Sequence, residues 1–296
     1  ATCRNSDTIT RCCAAASNPV VITLLLPGSC TACHFALAAR YPPSCQVEFF
    51  SLRTSGTPSK EFFTKLKPMS CAIPEPSASP LSPPSPFVKW VGGKRSLLRE
   101  LTALLPAEFG TYYEPFVGGG ALFFALSPTL GKARLSDTNI DRLVTYSVIR
   151  REPEALIKRL EEHFANHSPE YYYLLRGRHN QNEPVEVAAR MIYLNKTCYN
   201  GLYRVNSKGE FNVPVGRHSS PPSADAANIM ACSLALQSAD ISFWEYSDIR
   251  PEAGDFVYFD PPYHPTSDTS FTKYSKNDFS EKNQIELSEF FHKLHK

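Results

Sequence analysis

The sequence predicts an α/β chain built on an open, mostly parallel sheet, interrupted by an inserted recognition segment. Three observations carry that expectation. First, Phe256–Phe259 is an apolar run that stops at Asp260-Pro261-Pro262-Tyr263. Short runs rich in β-formers and closed by turn residues read as buried strands, and prolines cannot continue a ladder. Second, Thr111–Phe124 (TYYEPFVGGGALFF) reads as strand, glycine loop and helix. Third, Ala133–Ser136 is a further short strand ending in Asp137, nineteen residues after Gly118. Strand, glycine loop, helix and an acid at that distance open a nucleotide-binding βαβ unit, whose ligands lie at the carboxyl ends of the strands.

Composition sets bounds on the rest. The 296 residues, 42% of them hydrophobic, suffice for one large domain or two smaller ones. The formal charge of +2 leaves any basic patch to be found locally. No apolar run reaches the roughly 20 residues of a membrane span. Seven of the nine cysteines precede residue 72, so the later part reads as a cytosolic enzyme with free thiols.

Residues 1–86 differ in texture and read as an irregular extension or linker. Val20–Leu26 is a short apolar run, and Cys30-Thr31-Ala32-Cys33-His34 has a spacing shared by haem attachment, redox and zinc sites and by chance. Asp7 is the only acid before Glu48, so an organellar targeting segment stays open beside a cytoplasmic, nucleoid-associated location. Seven prolines between Pro68 and Pro86 mark a linker.

The remaining chain divides into 87–150, 151–235 and 236–296. Phe87–Arg95 (FVKWVGGKR) leads into a helix with Leu97, Leu98, Leu101, Leu104 and Leu105 on one face and Pro106 at its end. A glycine turn before a helix can hold an anion through its N–H groups. Lys94 adds a charge there and Trp90 a flat surface for a purine. The glycines at 118–120 lack the G-x-G-x-x-G pattern of a pyrophosphate loop, so the ligand carries a ribose without pyrophosphate. S-adenosylmethionine fits that description.

Helices are expected over Glu152–Phe164, Tyr171–Arg178 and Val187–Asn195. The stretch 195–218 then holds Lys196, Arg204, Lys208 and Arg217 against Glu210 alone. Leu202–Val205 and Glu210–Val213 can pair as a hairpin across Asn206–Gly209, a device suited to reading DNA or simply a solvated hairpin. Ile241–Tyr246 reads as a strand, with Asp248 beyond it as a candidate partner for a purine amine. After the Asp260 strand come the segment Phe271–Tyr274, a turn and a helix from Ser280 to His295.

Taken in order, KWVGGK, EPFVGGGALFF, LSDTNID, YNGLYRVNSKGEFNVPVGR and FDPPY resemble the Dam-type DNA adenine-N6 methyltransferases. The resemblance runs from about Pro86 to the end. It implies a Rossmann-like methyltransferase sheet with a helical and β-hairpin target-recognition insertion, S-adenosylmethionine as donor and double-stranded DNA as substrate. It places Trp90, Lys94, Phe116, Gly118, Gly120, Asp137 and Asp260 at the cofactor, and Asp260, Pro261, Pro262 and Tyr263 at the transferred methyl. Lys89, Tyr199, Asn200, Arg204 and Arg217 fall on the DNA-facing side. It implies a monomer without a membrane, open to a companion restriction endonuclease.

Methylation of cytosine N4 or a glutamine amide needs a similar pocket, and a binding-only remnant is a third alternative. The family's sheet continues beyond Phe256–Phe259, so the C-terminal strands are expected to be missing here. The Phe256 strand is then expected to be a bare edge. Residues 87–296 alone are expected to be poorly soluble and inactive, with roughly 60–80 further residues restoring activity.

Overall fold

The computed structural model describes residues 8–12, 20–25, 48–50, 82–90, 92–179, 182–217, 223–262 and 279–294. Tyr263, the segment Phe271–Tyr274 and the Cys30–His34 motif lie outside them.

Four parallel strands carry the site. They are β4 (Tyr112–Glu114), β5 (Ala133–Ser136), β6 (Ala239–Ser242) and β7 (Phe256–Phe259), in the spatial order β7-β4-β5-β6. All four residues of β7 are buried, as a parallel strand covered on both faces requires. β4 pairs with β7 from Tyr112 opposite Phe256, and with β5 from Tyr112 opposite Ala133. The carboxyl ends of β4, β5 and β7 therefore come out side by side.

The sheet departs from the expected four strands. β1 (Thr8–Cys12), β2 (Val20–Leu25) and β3 (Glu48–Phe50) extend it to seven, in the order β3-β1-β2-β7-β4-β5-β6. β2 runs parallel to β7 with Val20 opposite Phe256, so the edge expected to be bare is paired. The physical reason is visible in VVITLL, an apolar run rich in β-branched residues of the type that inner parallel strands use. β1 and β3 then follow in antiparallel register. Residues 1–86 are thus not wholly irregular.

Among the described residues the helices begin with a 3-10 turn, Lys94–Leu97, that runs into α1 (Leu98–Ala103). α2 (Ala121–Leu126) follows the glycine loop, and α3 (Ile140–Arg151) follows β5. The inserted helices are α4 (Pro153–Ala165), α5 (Pro169–Arg176) and α6 (Pro184–Thr197), each with proline in its first turn. α7 (Ala226–Ala235) returns the chain to β6, and α8 (Glu281–Leu294) follows β7. α3 packs broadly on α6. Two helices, α3 and α7, stand where the sequence reading assigns none. α3 hides its pattern because Arg142 and Thr145 are buried along with Tyr146 and Ile149.

The last strand before β7 is displaced from its expected place. Ala239–Ser242 forms β6, two residues earlier than Ile241–Tyr246, because a 3-10 turn takes up Tyr246–Asp248. The Asp248 carboxylate accepts from Glu245 N at 3.1 Å, capping that turn.

Removal of residues 1–81 uncovers the β7 edge, whose backbone groups then lack partners. A chain beginning at Ser82 should melt at lower temperature and scatter light on concentration. Equal melting temperatures by calorimetry would show that β2 adds nothing to the sheet.

Candidate active site

A cavity of about 480 Å³ opens at the carboxyl ends of β4, β5 and β7. Two glycine turns shape its walls. In the first, Gly93 N donates to Trp90 O at 2.9 Å and Gly92 takes φ +80°, which turns Lys94 inward. In the second, Gly118 (φ +51°) and Gly120 (φ +66°) adopt the left-handed region that glycine tolerates. A Cβ on Gly120 would lie 2.5 Å from the Tyr146 hydroxyl. The loop is thereby pressed against α3, and space remains for a ligand.

Three carboxyls stand where β4, β5 and β7 end at the cavity. Asp260, at the end of β7, accepts from Lys94 Nζ through both oxygens at 2.7 and 2.8 Å. Lys94 is 5% exposed and also donates to Gly92 O at 2.6 Å. Burial raises the Asp260 carboxyl above its ordinary range, and the lysine beside it pulls it back. Asp137, at the end of β5, accepts from Gly118 N at 3.2 Å and Asn139 N at 2.9 Å, and pairs closely with Arg142. Glu114, at the end of β4, accepts from the Tyr112 hydroxyl at 2.8 Å. Desolvation pushes its carboxyl up to about 8.

Trp90 lies beneath a cation. The Arg142 guanidinium sits 3.6 Å from its ring centroid, and the Tyr203 ring lies 5.1 Å away. The flat surface expected for a purine is therefore already covered on the guanidinium side. Phe116 belongs to an aromatic group with Tyr246 (5.6 Å) and Phe279 (5.8 Å) at the cavity's other wall. Pro261 and Pro262 line the cavity, and Gln284 of α8 donates to Pro262 O at 2.9 Å. Asp248 is not on the cavity wall, whereas Phe243, Glu245 and Tyr246 are.

The residues expected to face DNA gather around the end of α6. Asn195 accepts from Lys89 N at 2.8 Å and donates to Lys89 O at 2.9 Å. Lys89 is exposed and its stem packs over Gly201, where a Cβ would lie 2.5 Å from Lys89 Cδ. Tyr199 and Asn200 are exposed beside it, and Asn200 takes φ 56°. Tyr199 N donates to Pro214 O at 2.9 Å and Gly216 N to Thr197 O at 2.8 Å, which brings the exposed Arg217 to the same face. The hairpin is a single Val205–Phe211 bridge, and Arg204 Nε reaches across it to Asn212 at 2.7 Å.

Comparison with known proteins agrees with this geometry. A family model described as D12 class N6 adenine-specific DNA methyltransferase matches residues 90–296. The chain belongs to that family. A Type II methyltransferase of Lactococcus lactis subsp. cremoris is 43% identical over 219 residues, covering 71% of this chain and 76% of the relative. A Type II methyltransferase of Methanocaldococcus jannaschii is 42% identical over 232 residues, covering 71% and 80%. The DNA adenine methylase of Escherichia coli K12 is 36% identical over 209 residues, covering 69% and 74%. The cavity belongs, then, to an adenine-specific DNA methyltransferase, whose family implies a methyl donor and a DNA substrate.

Glu114 and Arg142 line this methyltransferase cavity and escape a reading by sequence. Glu114 stands before Pro115 at a strand end, as Asp260 stands before Pro261, and that repeated acid–proline step is a signal that finds it. Arg142 leaves no such trace, and neither does Tyr203 behind Trp90, since both reach their places only through folding.

Gly120→Ala should cost about 1–3 kcal/mol, from left-handed backbone strain and the contact with Tyr146. Calorimetry should show a lowered melting temperature that Tyr146→Phe partly restores. No restoration would mean that backbone strain alone sets the cost.

Proposed function

We propose that the chain moves a methyl group from S-adenosylmethionine to N6 of an adenine turned out of duplex DNA. The observation that carries this is the shared cavity: Asp260 with its two prolines opens onto the same space as the glycine loop, Asp137 and Lys94. The donor set fits such a ligand, because the glycine loop leaves room no Cβ would allow and Asp137 offers acceptors for ribose hydroxyls. Bound there, S-adenosylmethionine supplies a methyl carbon made electrophilic by its sulfonium.

What the chain's own residues do follows from elementary chemistry. A base stacked in a duplex is out of reach, so the target must be flipped into the pocket. The N6 lone pair of adenine is delocalised into the ring and is a poor nucleophile. The amine donates to the Asp260 carboxylate and the Pro261 carbonyl, which localises that pair and aims it. Asp260 does not deprotonate the neutral amine first. It stabilises the positive charge that develops on nitrogen and helps the proton leave afterwards. Lys94 holds both Asp260 oxygens, which favours the carboxylate form against its burial and orients it. Tyr263 stacks on the flipped base, a contact worth about 1–3 kcal/mol.

The insertion at 151–235 serves recognition, with Lys89, Tyr199 and Asn200 against the backbone and bases and Arg217 at a base edge. The parts 87–150 and 236–296 form one catalytic unit around it, which works as a monomer. Two relatives bear the Type II name, so we place the chain in a restriction–modification pair with a companion endonuclease reading the same site.

Two experiments test this reading. Asp260→Ala should abolish N6-methyladenine in digested DNA by mass spectrometry while leaving DNA binding intact. N4-methylcytosine in its place would refute the assignment of the amine. Arg217→Ala should weaken discrimination between sites by roughly 1–3 kcal/mol. An equal loss of affinity for all sequences in a gel-shift assay would make Arg217 a phosphate contact.

A further inference from the structure

Of the acids that line the donor cavity, three stand at the ends of β4, β5 and β7, and two of those three have cationic partners. Lys94 pairs with Asp260 and Arg142 with Asp137. Glu114 is 3% exposed, lies on the wall of the same cavity and has no cationic partner among the described residues. The groups around it are the Tyr112 hydroxyl on its own strand, the Phe123 backbone N–H on α2, Tyr146 on α3, and the carboxylates of Asp137 and Asp260. Tyr112 and Tyr146 are pushed well above ordinary phenol range by burial, so neither titrates near neutrality.

Burial and the two neighbouring acids hold the Glu114 carboxyl at about 8, against the hydrogen bonds from Tyr112 and the Phe123 backbone, which favour its ionised form. The two neighbouring ion pairs, Lys94 with Asp260 and Arg142 with Asp137, are each formally neutral, so a protonated Glu114 leaves no net charge at the ends of the three strands. A ligand of net positive charge entering this buried cavity makes ionisation of the third acid favourable, because a cation nearby lowers a carboxyl pKa.

We propose that Glu114 matches the charge of the cavity to that of the ligand: it releases its proton when the sulfonium donor binds and largely keeps it with the thioether product. This rests on S-adenosylmethionine being the donor. Donor and product share the adenine, the ribose and the amino-acid end, and differ by one methyl group and one positive charge. Shape and hydrogen bonding discriminate poorly between them, whereas a carboxylate that forms only on binding responds to the charge itself. The carboxyl O–H bond breaks, the proton passes to solvent, and the electron pair stays on Glu114 opposite the ligand's added charge. The site thereby favours donor over spent product after each turnover.

The sign of the pH dependence follows from linkage. Below about pH 8 each donor bound costs Glu114 its proton, so donor affinity should rise close to tenfold per pH unit and then level off. Product affinity should rise much less over the same range.

Titration calorimetry on the full chain tests this, with S-adenosylmethionine and S-adenosylhomocysteine in two buffers of different ionisation enthalpy. Donor binding at neutral pH should release close to one proton and product binding well under half as many. Glu114→Gln keeps the shape and the acceptor for Tyr112. It should abolish the release, flatten the pH profile and reduce the donor-to-product preference several-fold. Equal proton release by both ligands in the unaltered chain overturns the proposal without recourse to any variant. Release that survives in Glu114→Gln overturns it too, and points to Asp260. Binding of neither ligand overturns the donor assignment itself, and this inference with it.

Discussion

The contact between Lys94 and Asp260 is the constraint on which the rest of the site depends. It joins a glycine turn near the start of the family region to the end of a strand 166 residues later. Both partners are largely withdrawn from water, with side-chain exposures of 5% and 21%. Either charge alone would be costly at that depth, and the pair holds only because each satisfies the other. Its consequence is geometric as much as energetic. With both Asp260 oxygens held by one ammonium, the carboxylate has a single orientation, and the prolines behind it cannot swing.

A second contact ties this chemistry to recognition. Trp90 carries the Arg142 guanidinium on its ring and touches Tyr203, whose hydroxyl accepts from Asn139 at 3.2 Å. Asn139 also caps α3 by accepting from Arg142 N at 3.0 Å. Asp137, the cavity wall at Trp90 and the loop that presents Tyr199 and Asn200 are thus one packed group. Lys89 precedes Trp90 in sequence and is clamped by Asn195 of α6, so the cavity wall and the exposed face at Tyr199 and Asn200 share a backbone segment.

The sheet shows how little freedom the site has. β7 is buried along its whole length, and its neighbours on either side are parallel strands, β4 and β2. A slip along that strand would draw Asp255 or Asp260 into the covered part of the sheet, away from the partners each has now. Asp260 is therefore placed by the core rather than by the loop in which it sits.

The sequence by itself determined the periodic and the punctuated features. Phe256–Phe259 and Ala133–Ser136 are strands as read, because short apolar runs ending at an acid and a turn have few other ways to fold. The glycines at 118 and 120 announce their left-handed turn, and five motifs in order announce the family. Tertiary structure alone decided the partners. Nothing local in Arg142 says that it will lie on Trp90 and grip Asp137, and a charged residue in a helix first turn ordinarily reads as solvated. The strand before β7 was misplaced by two residues because the Glu245–Asp248 cap competes with strand extension, a contest that periodicity does not register. β2 was invisible as a sheet strand for a related reason. A short apolar run among cysteines and prolines states its preference for a pleated surface, but which edge it joins depends on the edge that β7 leaves open.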